Sequence, residues 1–390
     1  MKLVSRLKRS LRLFKHRVED RQTYRFYNRQ FKRYLEMHHI PDTRVEGEED
    51  YVRVWKTLTS RVDTTSYRFF SRFMGNNPYI IPEDIGDSVI EYYLNPLSYR
   101  SFYADKNLYA QYLTPVDAMP KDLLRRMDGE KILDFRYNLT SLNSQSGKYE
   151  FGKAIADHDT IVIKPAANSC SGNAVNLFSR ITEDDGSSYF KDRDGQVLDG
   201  NYLLHYNFGK SFIIQEAIVQ HPYLAQFCST SVNTLRMCVY KSVIDEEIIL
   251  FAAALRIGHE GSIVDNLHAG GGFVKVDPKT GKLGHNVYDQ YGMTTNTLNG
   301  IDFSRGFQIP CWDRIVSFAR MISHQIHHMR LLALDVSLDV NEKPRLIEFN
   351  IKEFAFWIPM FSGQQVFGDR IDEVIGYCRR RLIDDQRIKK

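Results

Sequence analysis

Apolar positions recur along the first thirty-odd residues at steps of three and four. Leu3, Leu7, Leu11, Phe14 and Val18 make one stripe on a helix, and Tyr24, Tyr27, Phe31 and Tyr34 continue it. Short helices are predicted over "TSYRFFSRFMG" and "PEDIGDSVIEYYL", so residues 1–95 read as a helical N-terminal region. From about residue 100 the pattern changes. "YADKNLYAQYL" reads as a helix carrying Lys106 in its first turns. "DTIVIKP" is a short apolar strand that ends in Lys164, followed by the polar loop "AANSCSGN" and a returning strand "AVNLF". "SFIIQEAI", "VNTLRMCVY", "EIILFAAALRIG", "LLALDVSLDV" and "PRLIEFN" are further strands. "HPYLAQF" is a turn or short helix, and "CWDRIVSFARMISHQIHHM" has helical spacing. Adjacent strands mixed with helices argue α+β rather than a regular βαβ series.

The same alternation places the candidate chemistry. Leu334, Val336, Leu338 and Val340 share one strand face, with Asp335, Ser337 and Asp339 on the other. A loop from Val340 to Lys343 sets Asp339 opposite Pro344 and Asp335 opposite Glu348. Like charges opposed across strands are destabilising. A hard cation reverses that sign, and magnesium takes one or two carboxylates plus substrate phosphates. Leu346, Glu348 and Asn350 share a face, so Asn350 adds a neutral oxygen; a solvated sheet edge is the alternative. Lys164 sits at a strand end beside a loop whose backbone N–H groups, Ser169 and Ser171 hydroxyls and close-approach Gly172 suit a phosphate. An ordinary solvated lysine is the other reading. Gln215 and Glu216 close a strand at a place that suits an adenine and a ribose, or is merely a strand end. Arg236 lies mid-strand and Arg256 ends the next strand; such arginines want an anion, either a phosphate or a structural carboxylate. His324 and His328 lack the Glu of H-E-x-x-H, and Cys170 has no neighbouring His, so these read as structural or incidental.

Composition narrows the class. At 390 residues, 43% hydrophobic and 26% charged, the chain is long enough for a large core and two or three domains or subdomains. The five cysteines are scattered with no CxxC pair, which argues against a disulfide frame or zinc site and for a reduced, cytosolic protein. No apolar run reaches the ~20 residues of a membrane span, and a secretory signal is not expected. Net charge is +4, but residues 1–33 carry twelve Lys/Arg against Glu19 and Asp20. The N-terminal stripe reads either as a helix docked on the protein's own body or as one lying on an anionic membrane. No nucleic-acid-binding module follows it.

The order of these features resembles the ATP-grasp superfamily. "ADKNLY", "IVIKPAANSCSGNAV", "SVNTLRM", "NLHAGGG" and "LIEFN" followed by "GQQ" resemble, more narrowly, the sugar-transfer-associated ATP-grasp family, over roughly residues 75–380. The resemblance implies two α+β subdomains clasping ATP: residues 96–220 with the phosphate loop and adenine hinge, and residues 221–390 with the metal ligands. It implies phosphate contacts from Lys106, Lys164, Ser169, Ser171 and Gly172, and adenosine contacts from Gln215, Glu216, Ala217 and Ile218. Asn266 would line the same cleft, Arg236 and Arg256 would act as catalytic cations, and Asp335, Glu348 and Asn350 would bind two magnesium ions. The implied reaction joins a carboxylate to an amine, small or sugar-linked, through an acyl phosphate, in cell-surface polysaccharide synthesis. A phosphotransferase and a non-catalytic partner protein are the alternatives. The expected place is the cytoplasm, peripheral on the inner membrane face through residues 1–36, without nucleic acid. "IKEFAFWIPMFSG" is bulky and aromatic where relatives have a glycine-proline-type turn, so acceptor choice is expected there.

Overall fold

The computed structural model describes residues 21–127, 131–140, 155, 157–167 and 174–387. Strand alternation organises two antiparallel sheets of seven strands each. The first contains β1 (Asp122–Arg126), β2 (Ile132–Asp134), β3 (Leu139–Thr140), β4 (Thr160–Pro165), β5 (Asn176–Thr182), β6 (Ser188–Lys191) and β7 (Phe212–Glu216), in the order β3-β2-β1-β7-β4-β5-β6. Ile161 and Ile163 of β4, Phe212 and Ile214 of β7 and Phe178 of β5 pack on Leu203 of the helix Gly200–His205.

The second sheet begins with β8 (Thr234–Lys241), β9 (Ile248–Ile257), β10 (Gly272–Val276), β11 (Leu283–Tyr288) and β12 (Thr294–Thr295). A separate ribbon of β13 (Thr297–Leu298) and β14 (Ile301–Asp302) follows, then β15 (Leu331–Leu338) and β16 (Pro344–Asn350). Its order is β12-β11-β10-β9-β8-β15-β16. One face presents Leu235, Met237, Val239, Leu332, Leu334 and Val336 to the helix Trp312–Gln325. That helix meets them with Ile315, Ala319 and Ile322, spaced four and three apart as a helical stripe requires.

On the other face Cys238, Tyr240, Ala252, Ala254, Leu331 and Ala333 are covered by the helical N-terminal region. Residues 21–37 are helical, and Phe31 and Tyr34 are buried there beside Trp55, Phe69 and Phe70. Tyr27 donates to Asp87 at 2.5 Å. The described part of the N-terminal stripe is therefore spent on the protein's own body, while Leu3 to Val18 lie outside the described residues. No helix among the described residues is long and apolar enough to cross a membrane. Phe354, Phe356, Met360 and Phe361 are buried in this same core. The aromatic segment expected to choose an acceptor thus spends most of its rings on packing, because they face the apolar sheet and helices rather than solvent. Lys106 also departs from expectation: it opens a 3-10 turn, Lys106–Leu108, ahead of a short helix, Tyr109–Tyr112. The Asp105 carboxylate accepts the Asn107 N–H at 2.9 Å and starts that turn.

Asn95 joins the helical region to the second sheet. Fully buried, it donates to Leu331 O (2.7 Å) and Ile351 O (3.0 Å) and accepts from the N–H groups of Arg330 and Leu331 (both 3.0 Å). These bonds brace the start of β15 and the exit from β16. Asn95→Ala leaves three buried backbone groups and the part-buried Arg330 N–H without that partner, so urea denaturation followed by tryptophan fluorescence should show a loss of about 3 kcal/mol. A loss below ~1 kcal/mol would mean that Asn95 is not the brace described.

Candidate active-site cleft

The β15–β16 hairpin is irregular where it matters. Leu338, Ser337 and Val336 oppose Pro344, Arg345 and Leu346, but Asp335, Leu334 and Ala333 oppose Glu348, Phe349 and Asn350. Ile347 is the extra residue of a β-bulge. Asp335 does face Glu348, as the sequence predicts, but Pro344 faces Leu338 rather than Asp339. The reason is a wider turn: the Asp339 carboxylate caps the N–H groups of Asn341 and Lys343, both at 2.9 Å, and so stays inside it. The bulge then restores the register. It also reverses the alternation, since a one-residue slip moves side chains to the other face. Leu346 is fully buried in the apolar core under the sheet, whereas Glu348 and Asn350 turn into the cleft; the shared face expected for the three does not exist.

The cleft is rich in charge. Asp335, 2% exposed, receives Arg236 through Nε at 2.7 Å and Nη2 at 3.1 Å, a bidentate clasp that follows from their direct pairing between β15 and β8. Arg256 reaches Asp335 at 3.4 Å and Asn350 reaches it at 3.2 Å. Both predicted strand arginines therefore hold carboxylates in this state. Lys106 Nζ lies 3.0 Å from Glu348 Oε2, and its backbone N–H donates to Ala166 O at 2.8 Å. Lys164 Nζ donates to the carbonyl of the bulged Ile347 at 3.3 Å. Burial, then the neighbouring Lys106, lowers the Lys164 ammonium to about 8. Burial pushes the Glu348 carboxyl upward, but Lys106 and Lys164 outweigh it and hold that group at about 2.

Sequence reasoning missed Asp265. Buried at 8% exposure, it accepts from Arg256 Nη2 at 3.1 Å and from the Thr234 hydroxyl. Its signal was its place directly before Asn266. Asn266 lines the cleft and caps the His268 N–H at 3.0 Å. Four cations, Lys106, Lys164, Arg236 and Arg256, thus gather around three carboxylates, Asp265, Asp335 and Glu348.

Toward β7 the cavity, about 170 Å³, becomes apolar, walled by Pro120, Val162, Val175, Ile218, Val232, Ile263, Val264 and Ile347. Gln215 and Glu216 line its edge. Gln215 Nε2 donates to Asp122 at 2.8 Å, and the Glu216 carboxylate accepts the Lys121 N–H at 3.0 Å. The Ala217 N–H donates to Thr160 O at 3.2 Å. Ser169, Ser171 and Gly172 lie outside the described residues. An apolar slot leading to a cationic floor suits a flat heterocycle joined to phosphates. Among the described residues no three His, Cys, Asp or Glu side chains form a ready metal cage. Two carboxylates and an amide do converge, which fits magnesium completed by phosphate oxygens.

A family model described as sugar-transfer associated ATP-grasp matches residues 120–374. Among proteins of curated function none matches the chain. Solved structures with some likeness include an ADP complex of N5-carboxyaminoimidazole ribonucleotide synthetase, at 9% identity and TM-score 0.34, covering 65% of this chain and 45% of that one. A D-cycloserine synthetase is similar at 10% identity and TM-score 0.39, covering 74% and 73%. The D-alanyl-alanine synthetase A of Vibrio cholerae is similar at 12% identity and TM-score 0.38, covering 73% and 66%. The chain spans less than half the length of the first of these.

The electrostatics of the cleft can be read at Lys164. In the nucleotide-free protein its ammonium should titrate near 8, seen by NMR of methylated lysines with Lys164→Arg as the assignment control. Glu348→Gln removes a charge that favours the ammonium, so the midpoint should fall further. A midpoint at the ordinary lysine value, or a rise in Glu348→Gln, would contradict this arrangement.

Proposed function

We propose, for a chain that belongs to the sugar-transfer-associated ATP-grasp family and has its α+β fold, that this cleft binds ATP with magnesium and joins a carboxylate to an amine. The observation that carries the reading is the surplus of cations: Lys164 is buried and stands close enough to Lys106 for its ammonium to be disfavoured. Such an arrangement is stabilised by a polyanion. The nucleotide lies between residues 96–220 and 221–390, with its base in the apolar slot beside Glu216, Ala217 and Ile218. Asp335, Glu348 and Asn350 hold magnesium, two ions in this reading, which supplies charge neutralisation to the phosphates.

The chain's own groups then do the positioning. Lys106, Arg236 and Arg256 exchange carboxylate partners for phosphate oxygens, and Lys164 stays anchored by the bulge. The substrate carboxylate attacks the γ-phosphorus and ADP leaves. Nitrogen then attacks the acyl phosphate carbon, phosphate leaves with the bonding pair, and the amine gives up a proton. Fixed cations around the transferring group lower the barrier by placing charge where it develops. The family's description supports a sugar-linked substrate and a role in cell-surface polysaccharide synthesis. The basic residues 1–36 support contact with the anionic inner face of the membrane.

ATP consumption should depend on adding both a carboxylate and an amine, with an amide detected by mass spectrometry. Glu348→Gln should cut turnover at least ~100-fold. Unchanged turnover in that variant would remove Glu348 from the machinery. A stable phosphorylated product without amide would make the enzyme a phosphotransferase instead.

A further inference from the structure

A second cavity, of about 660 Å³, shares no lining residue with the nucleotide cleft. Arg21, Arg25 and Arg61 stand around it, above an apolar wall of Leu58, Ile85 and Val89. Arg21 and Arg25 are four residues apart on one helix, so they share a side. The Arg61 guanidinium lies 3.8 Å from the ring centroid of Tyr24, a residue of that same helix. This contact holds it over an aromatic face and restricts its freedom. Some arginines nearby are held by carboxylates: Arg53 pairs with Asp50, Arg68 with Glu48 and Arg100 with Glu91. Among the described residues Arg21, Arg25 and Arg61 have no such carboxylate. Asp84, the acidic lining residue, is buried, and burial with the nearby Asp63 raises its carboxyl to about 7, so it opposes an anion only in part at neutral pH.

We propose that this cavity seats the phosphate headgroup of an anionic lipid, with the arginines on the phosphate and the apolar wall against the glycerol and first methylenes. A free phosphate has no use for that wall. Lipid is also favoured by the adjoining sequence, since residues 1–20 add seven Lys/Arg against Glu19 and Asp20. The proposal rests on the membrane contact given above and is independent of the ligase chemistry.

The test is flotation of the full-length chain with vesicles of phosphatidylcholine, with and without 30% phosphatidylglycerol, at fixed salt. Wild type should float only with the anionic vesicles. An R21Q/R25Q/R61Q variant with unchanged ATP turnover should bind them about 100-fold less tightly, at about five-fold per arginine. An R6Q/K8Q/R9Q/R12Q variant separates the general basic segment from the cavity. If only that variant loses binding, or the three-arginine variant floats like wild type, the cavity has no lipid role. Glycerol 3-phosphate should fail to displace the vesicles; displacement at comparable affinity would make the ligand a soluble phosphate and overturn the lipid assignment. Failure of wild type to float would remove the membrane contact itself, with ATP turnover still reporting on the cleft.

Discussion

Two carboxylates placed opposite each other on neighbouring strands are the constraint around which the cleft is built. Asp335 and Glu348 are paired across the hairpin, and neither is left to repel the other unopposed. Arg236 and Arg256 hold Asp335, while Lys106 holds Glu348. Removing one partner of a buried pair leaves an uncompensated charge, so these groups stand or fall together. The cations come from four separate segments: the turn at Lys106, β4, β8 and β9. Any nucleotide held by them is therefore held by both sheets at once.

Geometry depends on one residue. The bulge at Ile347 lets a single strand put Leu346 into the core and Glu348 into the cleft, and its carbonyl anchors Lys164 from the other sheet. The cleft face of the second sheet continues into the surface covered by the helical N-terminal region, where Cys238, Ala333 and Ala254 lie beyond Arg236, Asp335 and Arg256. Asn95 crosses from that region to both ends of the β15–β16 hairpin. The helical region is thus a structural wall of the second sheet.

Much of this was legible in the chain. The strands that carry Lys164, Arg236, Asp335 and Glu348 follow from their alternation, and the Asp335–Glu348 pairing was reached by strand counting. That counting passed over two compensating irregularities, the wide turn capped by Asp339 and the bulge, because each is a local hydrogen-bonding choice with no signature in apolar spacing. Asp265, Thr234 and the apolar wall were missed for a different reason. Asp265 and Thr234 stand beside the predicted Asn266 and Arg236, but a single acid or hydroxyl has no spacing signature, and the wall residues come from segments that only the folded sheets bring together. Apolar spacing favours a docked N-terminal stripe but leaves a surface-seeking one open; the burial of Phe31 and Tyr34 decides it for residues 21–37.

An opposed carboxylate pair ringed by four cations is here proposed to hold a nucleotide through magnesium. Calorimetric titration of a non-hydrolysable ATP analogue into the wild-type chain, with magnesium and then with a chelator, tests it most directly. Binding should be tight and weaken at least ~10-fold when magnesium is withdrawn, because the two carboxylates then face the phosphates without a bridging cation. Equal binding with and without magnesium, or no binding in either case, would contradict it.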